Sequence, residues 1–230
     1  MSKENPKRVN VPMLLTVVAV VLMLAAGGYS VFRSVNEVGN ISKGMSNCRQ
    51  VSNLLQMYAT DHNGKYPDSV LGNPQTSNEV FRVLYKEEYV DSEFSFGCPF
   101  SPYRSDGDLG PAPDYARALE ANENHWAMTA GLSKDSPGGI PLVYENPVTA
   151  SWPPRWNASA KGTATRGRAW SKGVIIGLND GSMHLKKLDS SRGTSVGLAK
   201  DPKGKDVFEA AIDPVKFPKG VVLDVLKKSE

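Results

Sequence analysis

From residue 11 to residue 32 the chain runs for 22 positions without a charged side chain, and Val, Leu, Ala and Met dominate the run. As a helix, such a stretch is long enough to cross a hydrocarbon core of roughly 30 Å. Lys3, Lys7 and Arg8 precede it against a single Glu4, while Arg33, Glu37 and Lys43 follow with a weaker positive bias. That asymmetry predicts a cytoplasmic N-terminus and an exported remainder. The sequence therefore reads as a single-pass inner-membrane protein whose first partner is the lipid bilayer. Its expected parts are a cytoplasmic segment 1–10, a transmembrane helix 11–32, a periplasmic or otherwise extracytoplasmic α+β domain 33–200, and a charged C-terminal extension 201–230. Gly27 and Gly28 would be small-residue contact points if that helix packs on copies of itself. Two other readings stand beside this one. Met13 to Leu24 can serve as the apolar core of a cleaved secretory signal, with Ala25, Ala26 and Gly27 at the cut, or the run can be a buried core helix.

The rest of the chain has the composition of one ordinary domain with appendages: 40% hydrophobic and 22% charged residues over 230 positions. A net charge of +3 is too small to indicate nucleic acid by itself, so clustering of charge matters more than its total. Past the apolar run, Val35, Val38, Ile41 and Met45 fall three or four apart, and Val51, Leu54, Leu55 and Tyr58 repeat the spacing, which predicts a continuing amphipathic helix. Gly39 and Gly44 mark a place for a bend or break. The helix is expected to stop in Asp61-His62-Asn63-Gly64 before Pro67. A second helix is expected over 78–89, with Val80, Phe81, Leu84 and Tyr85 on its apolar side. Strands are expected over 125–130 and 140–145, and a hairpin over 174–178 and 182–188 turns through Asn179-Asp180-Gly181. A short helix near 206–212 and a last strand within 221–226 complete the reading.

In this order the features resemble bacterial type IV pilin-like proteins, in particular type II secretion pseudopilins. In those proteins a long helix ends in a Tyr-x-x-Asp-x-x-Gly-x-Tyr-Pro pattern ahead of an antiparallel sheet. Tyr58, Asp61, Gly64, Tyr66 and Pro67 match it. Phe96-Gly97-Cys98-Pro99, the segment from His125 to Leu132 and the Leu178-to-His184 hairpin are similar to later segments of the same group, so the likeness covers roughly residues 11 to 190. The resemblance implies a long N-terminal helix packed on an antiparallel sheet. The chain departs from the family at its start. Val11-Pro12-Met13-Leu14-Leu15-Thr16 has neither the glycine after which a prepilin peptidase cuts nor the carboxylate that registers subunits, and an intramembrane carboxylate is a specific assembly device. The expectation is the pilin-like fold without ordinary processing.

Candidate chemistry is sparse. His62, His125 and His184 stand singly, with no helical His or Glu partner, so no catalytic metal trio and no cofactor are expected. Asp61, Asn63 and Asp68 do not complete a calcium loop, because Tyr66 occupies the position of its glycine. Asp106 and Asp108 flank Gly107 and read as an acidic turn, with calcium ligation as the alternative. Nucleophile elbows, phosphate loops and dinucleotide fingerprints are missing, and the chain is not expected to be an enzyme. Cys48 and Cys98, placed together outside the cytoplasm, predict a disulfide closing a loop of about fifty residues. Two buried free thiols are the alternative.

One stretch stands out. Between Glu145 and Asp180 no acidic residue occurs, while Arg155, Lys161, Arg166, Arg168 and Lys172 accumulate alongside Trp152, Trp156 and Trp170. Cations interleaved with aromatic rings can hold lipid headgroups, glycans or single-stranded nucleic acid, and tryptophans capping the sheet explain the same residues. The leading functional expectation is a structural or interaction protein, a pseudopilin-like subunit or accessory of a secretion or pilus-type assembly in the bacterial envelope. Its partners would be other envelope proteins or further copies of itself. The alternative is a membrane-tethered module that captures an anionic ligand such as DNA, glycan or lipid headgroup through the 152–172 loop. Nucleic acid is not the favoured partner.

Overall fold

The computed structural model describes residues 11–99, 101–160, 167, 169, 170 and 173–226; within the first helix it describes the side chains of residue 12, residues 18–23 and residue 35 onward. The chain divides into two compact units, 1–39 and 40–230. Helix α1, Val11–Asp61, is one uninterrupted helix of 51 residues, so neither Gly39 nor Gly44 breaks it. In the first unit Val18, Ala19, Val20, Val21, Leu22 and Met23 are all exposed.

Among the described residues no helix is long and apolar enough to cross a membrane. This corrects the transmembrane expectation and, with it, the single-pass inner-membrane localisation. Helix α1 as a whole is of mixed polarity, carrying Arg33, Glu37, Lys43, Arg49 and Asp61 along its length.

The second unit is an α+β domain, built from the helical stripe predicted by spacing. Ile41, Cys48, Val51, Leu55, Tyr58 and Ala59 are buried, so one face of α1 lies in the core. Gly44 permits the approach, since a Cβ there would come within 2.8 Å of Ile175 Cδ1. After α1, the short α2 (Asp68–Leu71) leads to α3 (Ser77–Lys86). The Thr76 side chain caps α3 by accepting from the Glu79 N–H, which satisfies a donor the first turn leaves open.

Five strands follow, β1 (Trp126–Thr129), β2 (Pro141–Glu145), β3 (Val174–Leu178), β4 (Met183–Lys186) and β5 (Val222–Leu223), with α4 (Val207–Ala211) before the last. They form an antiparallel sheet of order β4-β3-β2-β1-β5. A shift in the β2–β3 register lies between Pro141 and Val143. Both faces of the central strands are covered. Trp126, Met128, Leu142, Val143 and Ile175 share a core with α1 and α3. Ala127, Tyr144, Val174, Ile176 and Leu178 pack with Trp156, Leu198 and Phe208 on the other side. This two-sided burial explains why β1 to β3 read as nearly continuous apolar runs, whereas edge strand β4 is only half-buried. The stretch expected as a separate charged extension belongs to the second unit and supplies α4 and β5.

Candidate functional sites

The Tyr-x-x-Asp-x-x-Gly-x-Tyr-Pro residues terminate and tie down α1. Gly64 takes φ 79°, and its N–H donates to Ala59 O at 2.7 Å, a left-handed helix stop of the kind glycine favours. The Tyr58 ring stacks on His62 with centroids 3.8 Å apart, and the Tyr89 hydroxyl donates to Asp61 at 2.7 Å. Buried Tyr66 donates its hydroxyl to Asn179 Oδ1 at 2.9 Å. Asp68 accepts from the Gly131 N–H at 2.7 Å. Every one of these contacts is internal.

The two cysteines are both buried and neither is in a disulfide, which corrects the disulfide expectation. Their thiols have different neighbours. The Cys48 thiol donates to Val143 O at 3.5 Å, and burial, followed by the charge of Glu145, pushes its pKa far up. Cys98 instead joins His125 and Glu145 in a buried cluster, where sulfur, one ring nitrogen and a carboxylate oxygen lie within 4.8 Å of one another.

Each member of that cluster comes from a different element. Cys98 follows the 3₁₀ turn at Phe94–Phe96, His125 leads into β1, and Glu145 ends β2 opposite Trp126. Neighbouring groups hold each in place. His125 Nδ1 is 2.8 Å from Ser101 Oγ and 3.2 Å from Asn146 Nδ2, and its ring meets Trp126 edge-on with centroids 4.9 Å apart. Asn146 is oriented by donating to His125 O at 2.9 Å and accepting from Gly167 N at 3.1 Å. Trp170 donates its indole N–H to Glu145 Oε1, while Trp156 donates to the Glu145 carbonyl at 3.1 Å. Beside Cys98 opens a cleft of about 530 Å³ between α1 and the 94–105 segment, with Lys43, Gln50, Phe94 and Arg104 in its walls. Phe94 is 73% exposed there.

A second group of carboxylates, Glu93, Asp106 and Glu123, also converges within 4.8 Å. The two glutamates are occupied by the backbone: Glu93 accepts from Gly107 N and Leu119 N, and Glu123 from Glu120 N. Burial, ahead of the neighbouring negative charges, raises Glu123 to about 7, and burial also raises Glu93. Asp108 turns away to pair with Arg117 at 2.7 Å. The remaining histidines stay apart from both groups: His62 lies on Tyr58, and His184 contacts Ser182 Oγ at 3.1 Å.

The residues expected to form a partner-binding loop are distributed differently. Trp156 and Trp170 are interior, 0% and 3% exposed, and serve the Glu145 contacts just described. Trp152 is half-buried among Phe208 and Phe217. Arg155 is exposed and reaches Ser195 O at 3.4 Å. Lys161, Arg166, Arg168 and Lys172 lie outside the described residues, as do the surroundings of Gly27 and Gly28.

Sequence reasoning paired Cys98 with the wrong neighbour and left His125 and Glu145 unassigned. A signal for the latter two was present: pairing the predicted strands 125–130 and 140–145 as a hairpin brings their outer ends, His125 and Glu145, side by side. Nothing comparable places Cys98, which arrives from a loop. No protein-family model, curated protein or solved structure matches the chain.

Proposed function

We propose that this chain is a structural and interaction protein, a pilin-like subunit or accessory of a pilus- or secretion-type assembly, in which the early part of α1 packs on the same segment of further copies. The carrying observation is the run 18–23, apolar and exposed at every position. At 100° per residue, six positions pass more than once around the helix, so the apolar surface is not a stripe facing one neighbour. A helix apolar on all sides requires apolar surroundings on all sides, and a bundle of like helices supplies them. The later part of the same helix supports the reading, because there one apolar face, Ile41, Cys48, Val51, Leu55 and Tyr58, is already buried in the core of the chain. The chain then acts by assembly and not by turnover.

Sedimentation of the full chain at micromolar concentration tests this. Self-association is expected, and the double variant Val21→Glu, Leu22→Glu should weaken it by at least ~10-fold, since burying one such side chain contributes about 1.5–3 kcal/mol. A monomeric wild type, or a variant that associates equally well, overturns the reading.

A further inference from the structure

Cys98, His125 and Glu145 present sulfur, nitrogen and oxygen to one point, and we propose that they bind a single Zn²⁺ ion with its fourth position open to the cleft beside α1. The rival arrangement of these residue types is a nucleophile relay, in which the imidazole lies between thiol and carboxylate. Both its partners would then use opposite ring nitrogens, placing sulfur and carboxylate on the order of 8 Å apart when hydrogen-bond lengths are added across the ring. Here all three atoms are mutually within 4.8 Å, a triangle and not a line. Nδ1 of His125 faces Ser101 and Asn146, so an ion would take the opposite ring nitrogen, Nε2.

A tetrahedral ion with bonds of about 2.0–2.3 Å to N, O and S needs its donors about 3–4 Å apart, a spacing this triangle can reach. One thiolate, one imidazole and one carboxylate form a mixed borderline donor set that suits zinc better than calcium or magnesium, which take oxygen alone. The supports are those an ion site requires. Ser101 Oγ can accept from Nδ1–H, and the Trp170 indole holds Glu145 Oε1, so ligand orientation is fixed before the ion arrives. Cys98 lines the cleft, and solvent can reach the ion from that side, completing four-coordination with water. Binding converts the Cys98 thiol to thiolate and releases its proton to solvent. The inference stands independently of assembly through α1, because the two use different residues.

The tag-free full chain, stripped with chelator and dialysed against Co²⁺, should take up one equivalent and show a thiolate-to-cobalt charge-transfer band. The band should vanish in Cys98→Ser and persist in Cys48→Ala. Zinc affinity should fall about 10-fold or more in Ser101→Ala, in line with loss of an outer-shell partner, and further in Glu145→Gln. Should Cys98→Ser fail to fold, alkylation of the wild-type chain decides: Zn²⁺ is expected to slow modification of Cys98 at least 10-fold. Absence of the cobalt band in the wild type, a band unchanged in Cys98→Ser, or alkylation of Cys98 indifferent to Zn²⁺ overturns the site.

Discussion

Glu123 shows how a single residue can make stability depend on pH. It is 8% exposed, and burial together with Glu93, Asp106 and Glu120 lifts its pKa to about 7, against the pull of the Glu120 N–H. A carboxyl whose folded pKa exceeds its unfolded value binds the proton more tightly when folded. Its stabilising contribution is complete below the unfolded pKa of about 4.5 and is lost as pH rises through 7. Chemical denaturation midpoints should therefore fall between pH 5 and pH 7.5, and Glu123→Gln should flatten that slope, whereas Asp108→Asn, at an exposed ion pair, should leave it in place. A slope unchanged in Glu123→Gln would assign the dependence to Glu93 instead, whose pKa moves the same way.

At the scale of elements, the turn between β3 and β4 joins parts of the fold distant in sequence. Asn179, 5% exposed, accepts from Tyr66, donates to Ser133 O and Ser136 O, and offers its own carbonyl to Gln56 on α1. Asn179→Ala would keep the turn but leave the buried Tyr66 hydroxyl and two carbonyls without that partner, a loss of about 2–3 kcal/mol readable in urea unfolding. A loss below ~0.5 kcal/mol would mean that water replaces the amide. The Asn179-Asp180-Gly181 turn was legible because its residue types accept tight-turn backbone angles, and the α1 stripe because its apolar spacing matches a helix face. The ties made by Asn179 were not legible, since polar contacts between remote loops leave no periodic trace. The same limit hid the buried cluster: strand pairing could bring His125 to Glu145, but only the path of the 94–105 loop brings Cys98 to them. Over 152–172 the tryptophans lie in the fold, with Trp156 and Trp170 holding Glu145 and Trp152 packed beside Phe208, which composition alone does not distinguish from an exposed aromatic face.

For the molecule as a whole, sheet order has a consequence for how the chain comes into being. Strand β1 has β2 on one side, and its other edge is filled by β5, with Ser77 N donating to Asp224 O and Asn122 N to Leu226 O. Translation delivers β1 and β2 long before β5, so on the ribosome the nascent sheet carries an open edge beside α3 that nothing yet synthesised can cover. Exposed strand edges recruit other chains. Ending the chain after Gly220 should fix it in that state: in the Val21→Glu, Leu22→Glu background, light scattering at micromolar concentration is expected to rise when β5 is removed, and equal solubility with and without β5 would show that the edge closes without it. Addition of β5 thus acts as the latch on the sheet, and a holdase that shields the β1 edge during elongation would be needed most before Val222 and Leu223 are added.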